Sequence, residues 1–157
     1  MLAQSRRAAV VATAALLTGA YWLPATAQDQ SRTQGPNQLS QTVGVTVPEN
    51  TSSTIRMLNL SQGTRLAFAM QAQDALWVLF MNEENWKRFP QGATPVLSAR
   101  VSAALSFGVQ VPADGNYYLV LDNREHATPN PVKMQLRATL PAGAKRPSDP
   151  KPLLQQY

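Results

Sequence analysis

Val132-Lys133-Met134-Gln135-Leu136-Arg137-Ala138-Thr139-Leu140 alternates without a break, apolar at the even positions and polar at the odd ones. A period of two sends successive side chains to opposite faces of a strand, so this stretch is a half-buried strand and not a helix. One face of its sheet meets water, and the other must find a second apolar layer.

Working outward, the same pattern recurs. Val43, Val45 and Val47 alternate with Thr42, Gly44 and Thr46 until Pro48 stops the strand. In residues 55–60, Ile55 and Met57 have opposite parity to Leu58 and Leu60, and that break in phase predicts a β-bulge. Gln62-Gly63 turns the chain into residues 65–71, with Leu66, Phe68 and Met70 facing inward as the second arm of a short hairpin. Residues 76–81 are apolar on both parities and read as a central strand whose outer face is also covered. Residues 82–95 form a polar loop broken by Trp86 and Phe89. From Val101 the odd positions through Val111 are apolar, while residues 96–105 fit a helical period almost as well. Pro112-Ala113-Asp114-Gly115 is a turn, in which proline fixes one dihedral and glycine permits positive φ. Tyr117, Leu119 and Leu121 then share one face, with Asn123 on the same parity.

About seven to eight short strands, turn signals between them and no βαβ alternation select an all-β fold, an antiparallel β-sandwich, with a small closed barrel as the alternative. The boundaries follow from composition. Arg6-Arg7, the small apolar run 8–20 and Ala25-Thr26-Ala27 read as an export signal over residues 1–27, cleaved to leave Gln28 first. Its weak hydrophobicity and paired arginines touch the twin-arginine pattern, but ordinary unfolded export fits better, and the expected location is periplasmic or secreted. Residues 28–41 are polar and expected to be disordered, as are residues 141–157, where Pro141, Pro147, Pro150 and Pro152 mix with Lys145, Arg146 and Lys151. The sandwich is expected over 42–140, with no transmembrane segment once the signal is removed.

The chain has no cysteine, which removes disulfides, thiolate metal sites and cysteine nucleophiles together. Its net charge of +5 is scattered along the sequence with no basic stripe, so nucleic acid is not an expected partner. Catalysis has few footholds. His126 is the single histidine, no serine-elbow motif is present, and adjacent Glu83 and Glu84 would point to opposite faces of a strand. Asp74, Asp114 and Asp122 are too dispersed for a calcium loop. The expectation is a non-enzyme with no cofactor and no metal.

The run Phe107-Gly108-Val109-Gln110-Val111-Pro112-Ala113-Asp114-Gly115-Asn116-Tyr117-Tyr118-Leu119-Val120-Leu121-Asp122-Asn123, followed by a loop and an amphipathic last strand, resembles the end of GOLD-type (emp24/p24-like) domains. It is also similar to bacterial pre-peptidase C-terminal domains, and the likeness extends over residues 47–140. The resemblance implies a compact accessory or interaction sandwich. The 157 residues include neither the coiled coil and membrane span found beside GOLD domains in p24 proteins nor a hydrolase like those to which pre-peptidase domains are attached. Pro112, Gly115, Tyr117 and Asn123 carry structural roles in this reading: Tyr117 buries its ring and returns its hydroxyl to backbone, and Asn123 ties a turning chain.

Recognition is expected to involve a protein or a glycan of the cell envelope. The partner is a protein docked on a sheet face or edge, a glycan held by residues 82–89, or a secreted hydrolase served as an accessory. Asn85, Trp86, Arg88 and Phe89 are the candidate contacts, because aromatic planes among amide and charged groups can stack a sugar or anchor a peptide. The alternative is that Trp86 and Phe89 fold back over the outer face of Trp77.

Overall fold

In the computed structural model the described residues are 37–144, with the backbone of 151–153. The expected export signal and its cleavage site lie outside them. The alternation at 130–139 is one strand of a four-stranded antiparallel sheet made by β1 (Gln38–Val47), β8 (Asn130–Thr139), β3 (Arg65–Ala72) and β6 (Ala104–Gln110), in that spatial order. The facing sheet runs β5 (Leu97–Val101), β4 (Leu76–Asn82), β7 (Gly115–Asp122), β2 (Ser52–Leu60) and β9 (Lys151–Leu153). Every pairing is antiparallel and each sheet keeps two edges, so the architecture is a sandwich and the closed-barrel alternative is set aside.

Between the sheets lies a continuous core. Leu66, Phe68 and Met70 from β3 and Val132, Met134 and Leu136 from β8 meet Val78, Phe80, Leu119 and Leu121 across the gap, all buried. Phe68 stacks on Phe107 at 4.8 Å and Phe80 on Tyr117 at 5.2 Å between ring centroids, which keeps the two layers in fixed contact.

The phase break in β2 is a bulge. Met57 pairs with Tyr117 and Leu60 with Gly115, so one extra residue is accommodated in β2. Asn59 takes φ +55 there and its N–H donates to Asn116 Oδ1, 3.1 Å away. Both Met57 and Leu60 thereby reach the core despite their opposite parity.

Five expectations change. The turn at Gln62-Gly63 does not close a hairpin: β2 and β3 belong to different sheets, β2 pairing with β7 and β9 and β3 with β6 and β8, so the turn carries the chain from one layer to the other. Residues 38–41, assigned to the disordered segment 28–41, belong to β1, because β8 runs on to Thr139 and gives them a partner: Gln38 lies opposite Thr139. The tail 141–157 contains β9, whose pairing with Thr54–Arg56 of β2 is a tertiary contact invisible in its proline-rich composition. Proline is tolerated there because β9 is an edge strand. Residues 83–88 form helix α1 (Glu83–Arg88) instead of a loop. Finally, the ambiguous 96–105 stretch is β5 followed by a corner at which the chain passes to the other sheet. Ala103, expected inward, is exposed at that corner with φ +71.

Candidate functional site: the α1 cover and the β6 edge

α1 starts where β4 ends. Asn82 caps it, its side-chain oxygen accepting from Asn85 N–H at 3.0 Å. Glu83 and Glu84 occupy the first turn and Lys87 and Arg88 the last, as the helix dipole favours. They also pair at i,i+4: Lys87 with Glu83 at 2.9 Å, and Arg88 with Glu84. Glu83 also accepts from Asn116 Nδ2, and that hydrogen bond, with Lys87 beside it, holds its carboxyl below the usual carboxylate range.

A helix of six residues is too short to persist unaided. It is held by a second, smaller core on the outer face of the five-stranded sheet, where Met81, Tyr118 and Val120 are buried under Trp86, Phe89 and Ala93. The Trp86 indole lies flat on the Tyr118 ring at 4.4 Å, and its N–H reaches Thr54 Oγ1 at 3.4 Å. Burial pushes the Tyr118 hydroxyl above the ordinary tyrosine range. The Arg124 guanidinium stands 4.8 Å over the Phe89 ring while bonding Asp122 through two nitrogens.

The candidate contacts are therefore placed as follows. Trp86 and Phe89 are half-buried with ring faces in use. Asn85 donates to Asn82 Oδ1 at 2.8 Å and accepts from Thr94 N–H at 2.9 Å, closing the loop after α1. Arg88 is exposed and paired with Glu84. Trp86 and Phe89 do fold back, but over Met81 and Tyr118. Trp77 remains 36% exposed under the Arg100 guanidinium. Trp77 stands five residues before the capping Asn82, about 17 Å along the strand, out of reach of a helix this short.

At the start of β7, Gly115 adopts φ +153, a conformation that side-chain-bearing residues rarely take, and Pro112 is exposed on the turn. Tyr117 is buried, and its hydroxyl donates to Ala113 O at 2.9 Å. Asn123 is fully buried and donates to both Pro48 O and Thr128 O, joining the β1–β2 and β7–β8 connections. His126 engages through its backbone: its N–H donates to Asn123 O and its carbonyl accepts from Asn50 N–H. Among the described residues no three His, Asp or Glu side chains gather where a metal ion could sit, and no helix is long and apolar enough to cross a membrane.

Sequence reading did not single out β6 as a site. Among the described residues it pairs with β3 alone and forms the edge of its sheet. Val111 N–H donates to Thr64 O, and Ala72 N–H donates to Ala103 O. The antiparallel alternation between those two bonds turns the N–H and C=O of Ser106 and Gly108 outward. The strand has no charge and no proline, the usual guards of an edge, and Leu105, Phe107 and Val109 are only half-buried behind it. The available signal was composition: Ala-Leu-Ser-Phe-Gly-Val-Gln carries no gatekeeper.

No protein-family model matches the chain, and no curated protein matches it in sequence. Among solved structures it is similar to Aeromonas hydrophila PliG, a periplasmic inhibitor of g-type lysozyme, at 13% identity and TM-score 0.45, over 67% of this chain and 89% of that one. It is also similar to a Bacillus endospore appendage of the disulfide-linked pili, at 18% identity and TM-score 0.44, over 66% and 88%. The Yersinia pseudotuberculosis-derived mitogen matches at 10% identity and TM-score 0.43, over 73% and 98%.

Proposed function

We propose that this protein is an exported, non-catalytic β-sandwich that docks another cell-envelope or secreted protein by accepting an extended strand at β6. The supporting observation is the edge itself: outward-facing backbone groups at Ser106 and Gly108, no charge or proline along the strand, and half-buried Leu105, Phe107 and Val109 behind it. Strand addition uses such groups for affinity and alternate side-chain sites for specificity. The glycan reading at 82–89 is weaker, because one face of the Trp86 ring is already stacked on Tyr118 and the side chain is half-buried. The amino-terminal signal pattern and the resemblance to accessory sandwiches are consistent with the reading.

Ser106→Pro tests it. Proline at an outward-facing position removes no ladder hydrogen bond, so the fold should survive, while an incoming strand loses its donor. The expected result is that the unaltered protein cross-links to a partner in envelope extract and the variant, with the same unfolding midpoint, does not. Equal cross-linking by both would overturn the proposal.

A further inference from the structure

The charges that look scattered in the sequence are sorted by the fold. On the five-stranded sheet each cation whose side chain is described has a mate: Arg56 the Tyr118 hydroxyl, Lys87 and Arg88 the α1 glutamates, Arg100 the Trp77 ring and Arg124 the Asp122 carboxylate. On the outer face of the four-stranded sheet stand Arg65, Lys133 and Arg137, and among the described residues none of them pairs with a carboxylate. The described carboxylates lie elsewhere, at Glu49, Asp74, Asp114 and Glu125 in connections, Glu83 and Glu84 in α1, and Asp122 in β7.

The geometry of this face is specific. Lys133 and Arg137 are four residues apart on β8, about 13 Å along the strand. Arg65 on β3 is opposite Thr139, diagonal to Arg137. Beside them is an open depression of about 550 Å³ lined by Ala67, Ala69, Ser106, Gly108, Gln135 and Arg137, with Phe68 and Phe107, whose rings pack into the core, between them.

From this segregation we infer that the outer face of the four-stranded sheet binds a linear polysaccharide bearing carboxylates. A polyanion is selected by three cations that meet no acid among the described residues. A lipid surface is disfavoured because the face projects no aromatic or long aliphatic side chain to bury among headgroups. A folded acidic protein would require an apolar interface core, and single-stranded nucleic acid would require stacking aromatics, which this face also lacks. A polyuronate matches what is present: guanidinium and ammonium groups for its carboxylates, and Gln71, Gln110, Gln135 and Ser106 for its hydroxyls. This surface meets the β6 edge at Ser106 and Gly108, through their outer face here and their backbone groups there, and does not rest on strand addition.

Polygalacturonate is the probe, compared at low ionic strength with neutral dextran, phosphatidylglycerol vesicles and duplex DNA. The protein should be retarded by polygalacturonate and not by dextran, and added salt should weaken the retardation. Arg65→Gln/Lys133→Gln/Arg137→Gln should weaken binding about tenfold or more. Ala67→Glu, which places a carboxylate opposite Arg137, should do the same with an unchanged unfolding midpoint. Lys87→Gln/Arg88→Gln should bind like the parent. The inference falls if polygalacturonate is not bound, if the triple variant binds equally, if the α1 variant loses as much, or if vesicles or DNA bind more tightly. Protein cross-linking by the triple variant should persist, so failure here and failure at β6 are told apart.

Discussion

The two outer faces of this sandwich have been finished differently. On the five-stranded sheet, Met81, Tyr118 and Val120 are apolar or aromatic and would be costly to leave wet, and α1 with its following loop covers them. On the four-stranded sheet the outward positions are Ala67, Ala69, Ser106, Gln135, Arg137 and their neighbours, which need no cover and receive none among the described residues. The covered face spends its aromatics and charges on internal contacts. The bare face leaves its cations without a carboxylate partner among the described residues and leaves β6 as a sheet edge. In a small all-β protein of this kind, the two outer faces of one core can thus differ in whether they need a cover.

The contrast breaks most visibly within β8 itself. Leu136 is buried and Arg137, its neighbour, faces out. Leu136→Asp should cost about 4 kcal/mol or more, because it leaves an unpaired charge in the core, whereas Arg137→Asp should stay within about 0.5 kcal/mol. Chemical denaturation of both variants checks this, and equal losses would mean that the register is wrong.

Next in size is the comparison of covers. Trp86→Ala should cost about 2–3 kcal/mol, since it removes the ring that seals Tyr118 and opens a cavity. Gln135→Ala on the bare face should shift the unfolding midpoint hardly at all. If Trp86→Ala is silent in stability yet weakens partner capture, the cover is a binding surface after all.

How much of this was readable depends on sequence distance. Alternation within β3 and β8 and the broken phase in β2 are local signals, and they give the strands, the inward residues and the bulge. α1 was also signalled, by Asn82 as a cap and by two Glu-to-Lys/Arg pairs at i,i+4, but one and a half turns are too few for periodicity to outweigh the polar composition. β9 has no local signal; its strand exists because β2 offers an edge. The sorted cations were unreadable for a similar reason. Arg65 and Arg137 are far apart in the chain, and only the β3–β8 register brings them to one face.

The buried hydroxyl of Tyr118 sharpens the same comparison through pH. Burial raises its pKa in the folded state, so its contribution is complete below the unfolded tyrosine value, about 10, and is lost as pH rises through the higher folded value. Denaturant midpoints measured from neutral to strongly alkaline pH should therefore fall more steeply for the parent than for Tyr118→Phe. Parallel curves would show that the hydroxyl is not sequestered beneath Trp86.

The smallest effect is expected where the chain leaves one sheet for the other. Ala103 holds φ +71 between β5 and β6, a left-handed conformation that costs a residue with a Cβ about 1 kcal/mol. It is retained because the corner must deliver the chain across the sandwich, and Ala103 O accepts from Ala72 N–H at 3.0 Å to fix the end of β3. Glycine relieves the strain in the folded state but gains freedom in the unfolded one, and the two terms partly cancel. Ala103→Gly should therefore be neutral or stabilising by about 0.5 kcal/mol, the reverse of the usual penalty for glycine in a strand-rich segment. Thermal unfolding measures it: a clear loss of stability would mean that the corner is not left-handed, and with it the placement of the β6 edge would have to be redrawn.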